Sequence, residues 1–499
     1  MLAHNRHGLR HVVVGDALEN EQIALSRGFP GDGGRVAHFH GPNHHRKARF
    51  ANLVQSLFES VVVGGPLLQL GEEPEHLEAL FRQLGGVAVL AEIASRVDGG
   101  NGSEKRVVLA HPQSLVVAVD MVVKNAEAGT EVRVEQVTSD FLFGSNIFLY
   151  GQLDTPQKNQ RYEDAFGTLF NQATIAFYWK TLEPEKGLLR FTADSPYEYR
   201  RPPTDPVVEF CQKKDLYMKG HAIIYGIRRW GHPTWLSEER KEMEREFETH
   251  IKTLAKRYGN RIQNWDVVNE CYDQANRGIM PDDYTYKSYR WAMKYFPKEV
   301  TFNTNECDMH WGSSKRYVEI VRDLIERGAK IDNCGVQMHI FDPNEAVQIA
   351  EGKSDILSPK KLWATLNCLM ETGRPTFISE VTISAPDDTE YGRAVQRELT
   401  RDFYRLWFSH PNVRGITWWN LIDGGAAPGE PSFSGLLDKE GNPKPSYEIL
   451  DKLINHEWKT RLNLKADMDG KISFRGFRGT YRITYMNRKG KKVTMHYKL

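Results

Sequence analysis

Cysteine is scarce in this sequence. Cys211, Cys271, Cys307, Cys334 and Cys368 are the only five in 499 residues, odd in number and with no CxxC pair. That excludes a disulfide framework and a thiolate metal cluster, and they read as reduced, mostly buried thiols suited to a reducing compartment. Net charge is almost absent too. With 66 basic against 65 acidic residues the balance is +1, so there is no electrostatic case for nucleic acid or an anionic membrane surface. No apolar run reaches the length of a membrane span, the longest (115–123) being interrupted by Asp120. Residues 1–6 lack the apolar stretch of a signal peptide, so the sequence reads as cytoplasmic, or as secreted with a leader removed. No phosphate-cradling glycine loop is present, and Gly64-Gly65 is not one.

What is present falls into four stretches. Residues 1–112 carry clustered Gly and His and read as a β-rich or mixed accessory module. His38, His40, His44 and His45 lie in a Gly/Pro/Arg-rich segment without a thiol, which favours a solvated loop over a metal site. In 113–138 an apolar run, the turn Ala128-Gly129-Thr130 and the alternation Glu131-Val132-Arg133-Val134-Glu135-Gln136-Val137 read as a half-exposed strand pair, a β linker segment. From 139 to 456 the pattern becomes strand–helix alternation. Eight apolar strand candidates stand at 141–148, 172–178, 218–225, 262–269, 299–304, 332–339, 375–380 and 413–419. The clearest helix places Met243, Phe247, Ile251, Leu254 and Tyr258 on one face and stops at Gly259-Asn260. The fold class is therefore α/β, a (β/α)8 TIM barrel, whose functional groups gather at the strand C-termini. Residues 457–499 return to short alternating strands and predict a small C-terminal β cap.

Two of the strand candidates run into acids. Residues 265–270 read WDVVNE and residues 377–381 FISEV, so Glu270 closes the fourth strand and Glu380 the seventh. A buried strand has no use for a carboxylate unless it emerges at a site. A pair of carboxyls in phase on a barrel suits glycoside hydrolysis, one protonating the leaving oxygen and one attacking the sugar carbon. Taken singly, each is more often a surface or capping residue; together with the polar residues below, function outweighs that reading.

These segments and their order resemble glycoside hydrolase family 10, the retaining endo-β-1,4-xylanases and their relatives. The resemblance covers about 139–456 and implies the following roles. Glu270 resembles the acid/base of the WDVVNE segment and Glu380 the nucleophile. His221 in Lys219-Gly220-His221 resembles the Gly-His pair of strand three, and Asn305-Glu306 the supporting Asn-Asp pair of strand five. Gln337 and His339 match the QxH of strand six, placed to fix the nucleophile, and Lys444-Pro445-Ser446-Tyr447 matches the closing KPxY. Asn269 would donate to a sugar hydroxyl and Trp419 would floor the pyranose, at most one of Trp418 and Trp419 facing the sugar. Tyr225 stands on strand three among the candidate substrate-binding residues. No metal and no cofactor is implied, and the partner would be a polysaccharide or oligosaccharide.

The sequence also departs from that family. Thr174, Ile175 and Tyr178 replace a polar Glu, Asn and Lys set on strand two, and Tyr225-Gly226 replace a Trp and a His on strand three. The hydrolytic centre matches better than the cleft, which leaves open a decorated xylan, another β-glycan, or a non-catalytic carbohydrate-binding protein on the same barrel. Residues 1–112 contain no Trp or Tyr, which favours a structural or docking role there over sugar binding. Oligomeric state is not legible.

Overall fold

The structure, a computed structural model, describes residues 116–271, 279–307 and 312–499. The accessory module expected over 1–112, with its histidine cluster, lies outside the described residues.

The strands are, in chain order, β1 (Val116–Val122), β2 (Glu131–Ser139), β3 (Leu142–Asn146), β4 (Gln172–Ala176), β5 (Tyr217–His221), β6 (Ile224–Tyr225), β7 (Asn264–Asn269), β8 (Thr301–Glu306), β9 (Asn333–Gln337), β10 (Thr376–Val381), β11 (Val413–Trp418), β12 (Arg461–Lys465), β13 (Lys471–Phe477), β14 (Gly479–Met486) and β15 (Lys492–Lys498). Strands β3 to β11 form one parallel sheet in the order β5-β4-β3-β11-β10-β9-β8-β7-β6, and a β5–β7 pairing closes it into a barrel. The third barrel position is split: β5 pairs with the start of β7, while β6 pairs with its end, Tyr225 opposite Asn269. All eight predicted strands are present, with boundaries shifted by a few residues.

The helix Arg240–Tyr258 buries Met243, Phe247, Ile251, Leu254 and Tyr258 as its periodicity requires. Gly259 ends it with right-handed rather than left-handed backbone. Glycine is needed there for space, since a Cβ would stand 2.5 Å from the Ala255 carbonyl oxygen.

Part of the barrel interior is polar. Asn264 Nδ2 donates to Asn303 Oδ1 (2.9 Å), Asn333 Nδ2 donates to the same oxygen (2.9 Å), and Asn303 Nδ2 donates to Asp266 Oδ1 (3.1 Å). These buried groups are tolerable because they satisfy one another.

The predicted pairing of the two strands in 113–138 is not what forms. β1 pairs with β13, whereas β2 lies between β12 and β14, with β15 beyond β14. The reason is burial. Val119 of β1 and Val132 and Val134 of β2 enter one core with Ile472, Phe474, Tyr481 and Ile483, so the two strands contribute to it from separate sheets instead of sharing an edge. The expected linker and the expected C-terminal cap thus make a single β module. Trp458 joins it to the barrel, stacked on Phe408 (4.1 Å between ring centroids) and Phe143 (5.6 Å).

Candidate active site

The chain turns sharply after β7. Glu270 has left-handed backbone, φ 54°, uncommon for a residue with a side chain and a mark of local strain. Three contacts hold it there. Its N–H donates to the Asn305 carbonyl (2.8 Å), the next N–H, of Cys271, donates to Glu306 Oε1 (2.5 Å), and Gly226 N–H donates to the Asn269 carbonyl (2.7 Å). Asn305 and Glu306, the supporting pair at the end of β8, thus position the acid's backbone. Glu380 needs no turn, being the fifth residue of β10 itself.

The two carboxyl groups are held differently. Both Glu380 oxygens face donors: Asn305 Nδ2 donates to Oε1 (2.6 Å) and His339 Nε2 to Oε2 (3.2 Å), while His221 Nε2 stands 3.8 Å from Oε1. Both oxygens of this buried carboxyl group thus have a partner. Behind them, Ser379 Oγ donates to Asn305 Oδ1, and Thr382 Oγ1 lies 2.9 Å from His339 Nδ1. At Glu270 the donors converge on one oxygen. Oε1 accepts from Tyr225 O–H (2.8 Å), Gln337 Nε2 (3.0 Å) and, at 3.5 Å, Asn269 Nδ2. No hydrogen bond from the described residues engages Oε2. Burial raises the Glu270 pKa above the ordinary value, and the Glu380 charge adds to the rise; the bonds from Gln337 and Tyr225 and the charge of His221 work against it.

A second network lies beneath. His221 Nδ1 donates to Asp266 Oδ2 (2.9 Å), which also pairs with Lys219 Nζ (3.1 Å), all three side chains being at least 96% buried. Burial disfavours charge on Asp266, yet Lys219 and the bonds from His221 and Asn303 hold its carboxyl below the usual range. His221 Nε2 and the Tyr178 hydroxyl stand 3.1 Å apart, a hydrogen bond that ties the phenol to this network.

The expected residues therefore meet, with two changes of role. Gln337 was expected beside His339 at the nucleophile position, but its amide reaches the other acid. Tyr225 was expected among sugar contacts, and its phenol instead bonds Glu270. Asn269 is buried, its Oδ1 accepting from Asn305 Nδ2 (2.7 Å). Trp419 stands edge-on to Phe148 (5.2 Å), His221 (5.5 Å) and His339 (6.3 Å). Trp418 is buried packing, with its Nε1 donating to the Ser434 carbonyl (3.1 Å). Sequence reading missed Lys219, Asp266 and the structural use of Tyr178. The signal was available for the first two, because a Lys and an Asp inside apolar strands are as anomalous as the two glutamates.

A sequence model described as Glycosyl hydrolase family 10 matches residues 136–452. The chain belongs to glycosyl hydrolase family 10. It is a glycosidase of xylanase type; the match spans the barrel, while β1, most of β2 and strands β12 to β15 lie outside it. It is 26% identical over 300 residues to endo-1,4-beta-xylanase B of Thermotoga neapolitana, covering 57% of this chain and 80% of that one. It is 27% identical over 316 residues to anti-sigma-I factor RsgI6 of Acetivibrio thermocellus, covering 61% of this chain but 36% of that protein. The crystal structure of native xylanase 10B from Thermotoga maritima superposes with a TM-score of 0.50 at 24% identity, covering 63% of this chain and 96% of that one, a likeness of fold.

Proposed function

We propose that this family 10 glycosidase cleaves β-1,4-linked xylan or a related β-glycan with retention of configuration, by double displacement through a glycosyl-enzyme intermediate. The observation that carries the reading is the asymmetry of the two carboxyl groups. Glu380 has donors on both oxygens and is poised as the charged nucleophile. Glu270 has donors on one oxygen only and an elevated pKa, which suits it to carry a proton on Oε2 and deliver it to the leaving oxygen.

The same geometry explains how one residue serves both steps. While Glu380 is charged, its field raises the Glu270 pKa. Glu270 gives its proton to the leaving oxygen as Glu380 is esterified; with the Glu380 charge gone it stays ionised, and it then takes a proton from the incoming water as base. Asn305 bridges the centre, donating to Glu380 Oε1 and to Asn269 Oδ1, and leaves the Asn269 amide N–H to a sugar hydroxyl. Trp419 supplies an apolar wall. The name of the xylanase relative from Thermotoga neapolitana supports xylan as the substrate.

A mechanism-based 2-fluoro-xyloside should label Glu380 in a purified preparation, and NMR of the first product should show the β-anomer; an α-anomer would exclude the double displacement. The loss of the family's polar set at Thr174, Ile175 and Tyr178 leaves one alternative, a barrel that binds glycan without cleaving it. A pure binder would form no adduct on Glu380.

A further inference from the structure

One concavity outside the catalytic cluster, of about 380 Å³, is lined by three cationic side chains, Lys180, Arg228 and Arg229, and, among the described residues, by no acid. Lys180 Nζ donates to the Arg229 carbonyl (2.9 Å), and the Arg229 guanidinium lies 4.9 Å from the centre of the Trp230 ring, which is 43% exposed. Neither Lys180 nor Arg229 has an ion-pair partner among the described residues, whereas Arg228 has Glu238 at 3.6 Å. Burial keeps His232, on the same wall, neutral, with its pKa lowered to about 4. The positive charge left without an ion-pair partner among the described residues is therefore that of Lys180 and Arg229.

The pocket adjoins the catalytic cleft through two tyrosines. Lys180 lies two residues beyond Tyr178, which bonds His221, and Arg229 four beyond Tyr225, which bonds Glu270. The two phenol rings are 5.8 Å apart. His232 Nε2 donates to the Tyr225 carbonyl (2.8 Å), and Gly231 backs Tyr225 so closely that a Cβ there would stand 2.1 Å from the Tyr225 Cβ. Tyr225 thus links Glu270 to His232, which lines the cationic pocket.

We propose that this pocket binds the carboxylate of an acidic sugar branching from the glycan main chain, an inference that rests on the β-glycan reading above. A guanidinium presents a planar fork that matches a carboxylate, and an ammonium beside it adds a second charge-assisted donor. The exposed Trp230 face next to Arg229 is an apolar platform for the branch ring. A volume of this order accommodates one pyranose with its carboxylate.

The test compares linear xylo-oligosaccharides with and without one glucuronic acid branch, on wild type and on the Lys180→Ala/Arg229→Ala double variant. The wild-type ratio of kcat/KM, branched over linear, should be about tenfold or more. It should fall toward one in the double variant and shrink with added salt. A ratio that is the same in both proteins overturns the proposal, as does a wild type without preference. A sulfated oligosaccharide preferred as strongly as the uronate overturns the assignment to a carboxylate. A binding arm stands apart from hydrolysis: methyl glucuronoside titrated into wild type should shift the Trp230 indole resonance, and should leave it unmoved in the double variant. If neither oligosaccharide is cut, the xylan reading fails and this titration still decides the pocket, absence of a shift in wild type overturning it.

Discussion

Gly226 is where the barrel leaves the least room beside its acid. In a Gly226→Ala protein the new Cβ would stand 2.0 Å from the Glu270 carbonyl oxygen, 2.8 Å from its carbonyl carbon and 3.0 Å from the Tyr284 hydroxyl. Contacts under 3.0 Å are essentially unknown for real Cβ atoms, so one backbone must give way by about 1 Å. Neither is free to do so cheaply. Gly226 N–H is bonded to Asn269, and Glu270 N–H to Asn305, across adjacent strands. A displacement of about 1 Å in a catalytic group costs about 100-fold in rate, equivalent to about 2.7 kcal/mol of transition-state stabilisation. We expect kcat on the accepted β-glycan to fall about 100-fold with KM changed far less, since the displaced backbone carries the acid's side chain. Gly415→Ala is the control. Its Cβ would meet Phe377 Cδ1 at 2.7 Å and the Leu142 carbonyl oxygen at 2.9 Å, early in β11 and away from both acids, so it should lower Tm and leave kcat within about threefold. Steady-state kinetics and thermal unfolding of both variants make the comparison. A Gly226→Ala enzyme whose kcat stays within about threefold of wild type would refute the reasoning.

Three further outcomes are expected. Glu270→Gln should slow hydrolysis of a natural glycosidic bond by about 10²- to 10⁴-fold and slow release of an activated aryl leaving group far less, because only the former needs the proton; equal losses on both would remove Glu270 from the acid role. Gln337→Ala removes a hydrogen bond that favours the ionised Glu270, so the basic limb of the kcat/KM–pH profile should move to higher pH, and a move to lower pH contradicts the pairing seen here. Asp266→Asn strands the buried Lys219 charge and should cost about 3–5 kcal/mol of stability, read as a lower Tm. Because the Asp266 pKa is depressed in the fold, its contribution is complete above the ordinary carboxylate range and is lost as pH falls through the depressed value; wild-type Tm should therefore drop on acidification more steeply than that of the variant.

Strand existence was legible because central parallel strands are apolar on both faces, and β7 is buried at all six positions. The two acids were legible for the complementary reason, as charges ending such runs. Partner choice was not. The alternation of β2 shows which of its faces is buried, yet nothing local says that the strand beside it comes from residues 461–465 or 479–486 and not from the run just before it. The same limit applies at the site. Gln337 and His339 share one strand end and were assigned one target, yet with only Met338 between them the amide turns to Glu270 while the imidazole turns to Glu380. The basic pocket has no sequence signature at all, since Lys180 and Arg229 are ordinary surface residue types 49 positions apart, brought together only by the turns after β4 and β6.

The β module also sets a schedule for the chain. Gln136 of β2 bonds Arg478, a residue 342 positions later, and the whole barrel is made in between. At a synthesis rate of about 5–20 residues per second, β2 waits about 20–70 s for its neighbours. During that time Val132 and Val134 have no core, and both long edges of the strand are open to any other unpaired strand. The barrel, whose partners arrive in order, can assemble first, and only β12 and β14 then close the sheet over the waiting strand. Until they do, the finished catalytic fold carries an adhesive flank, so slow or interrupted synthesis between the barrel and β14 is when this β module is most exposed to aggregation.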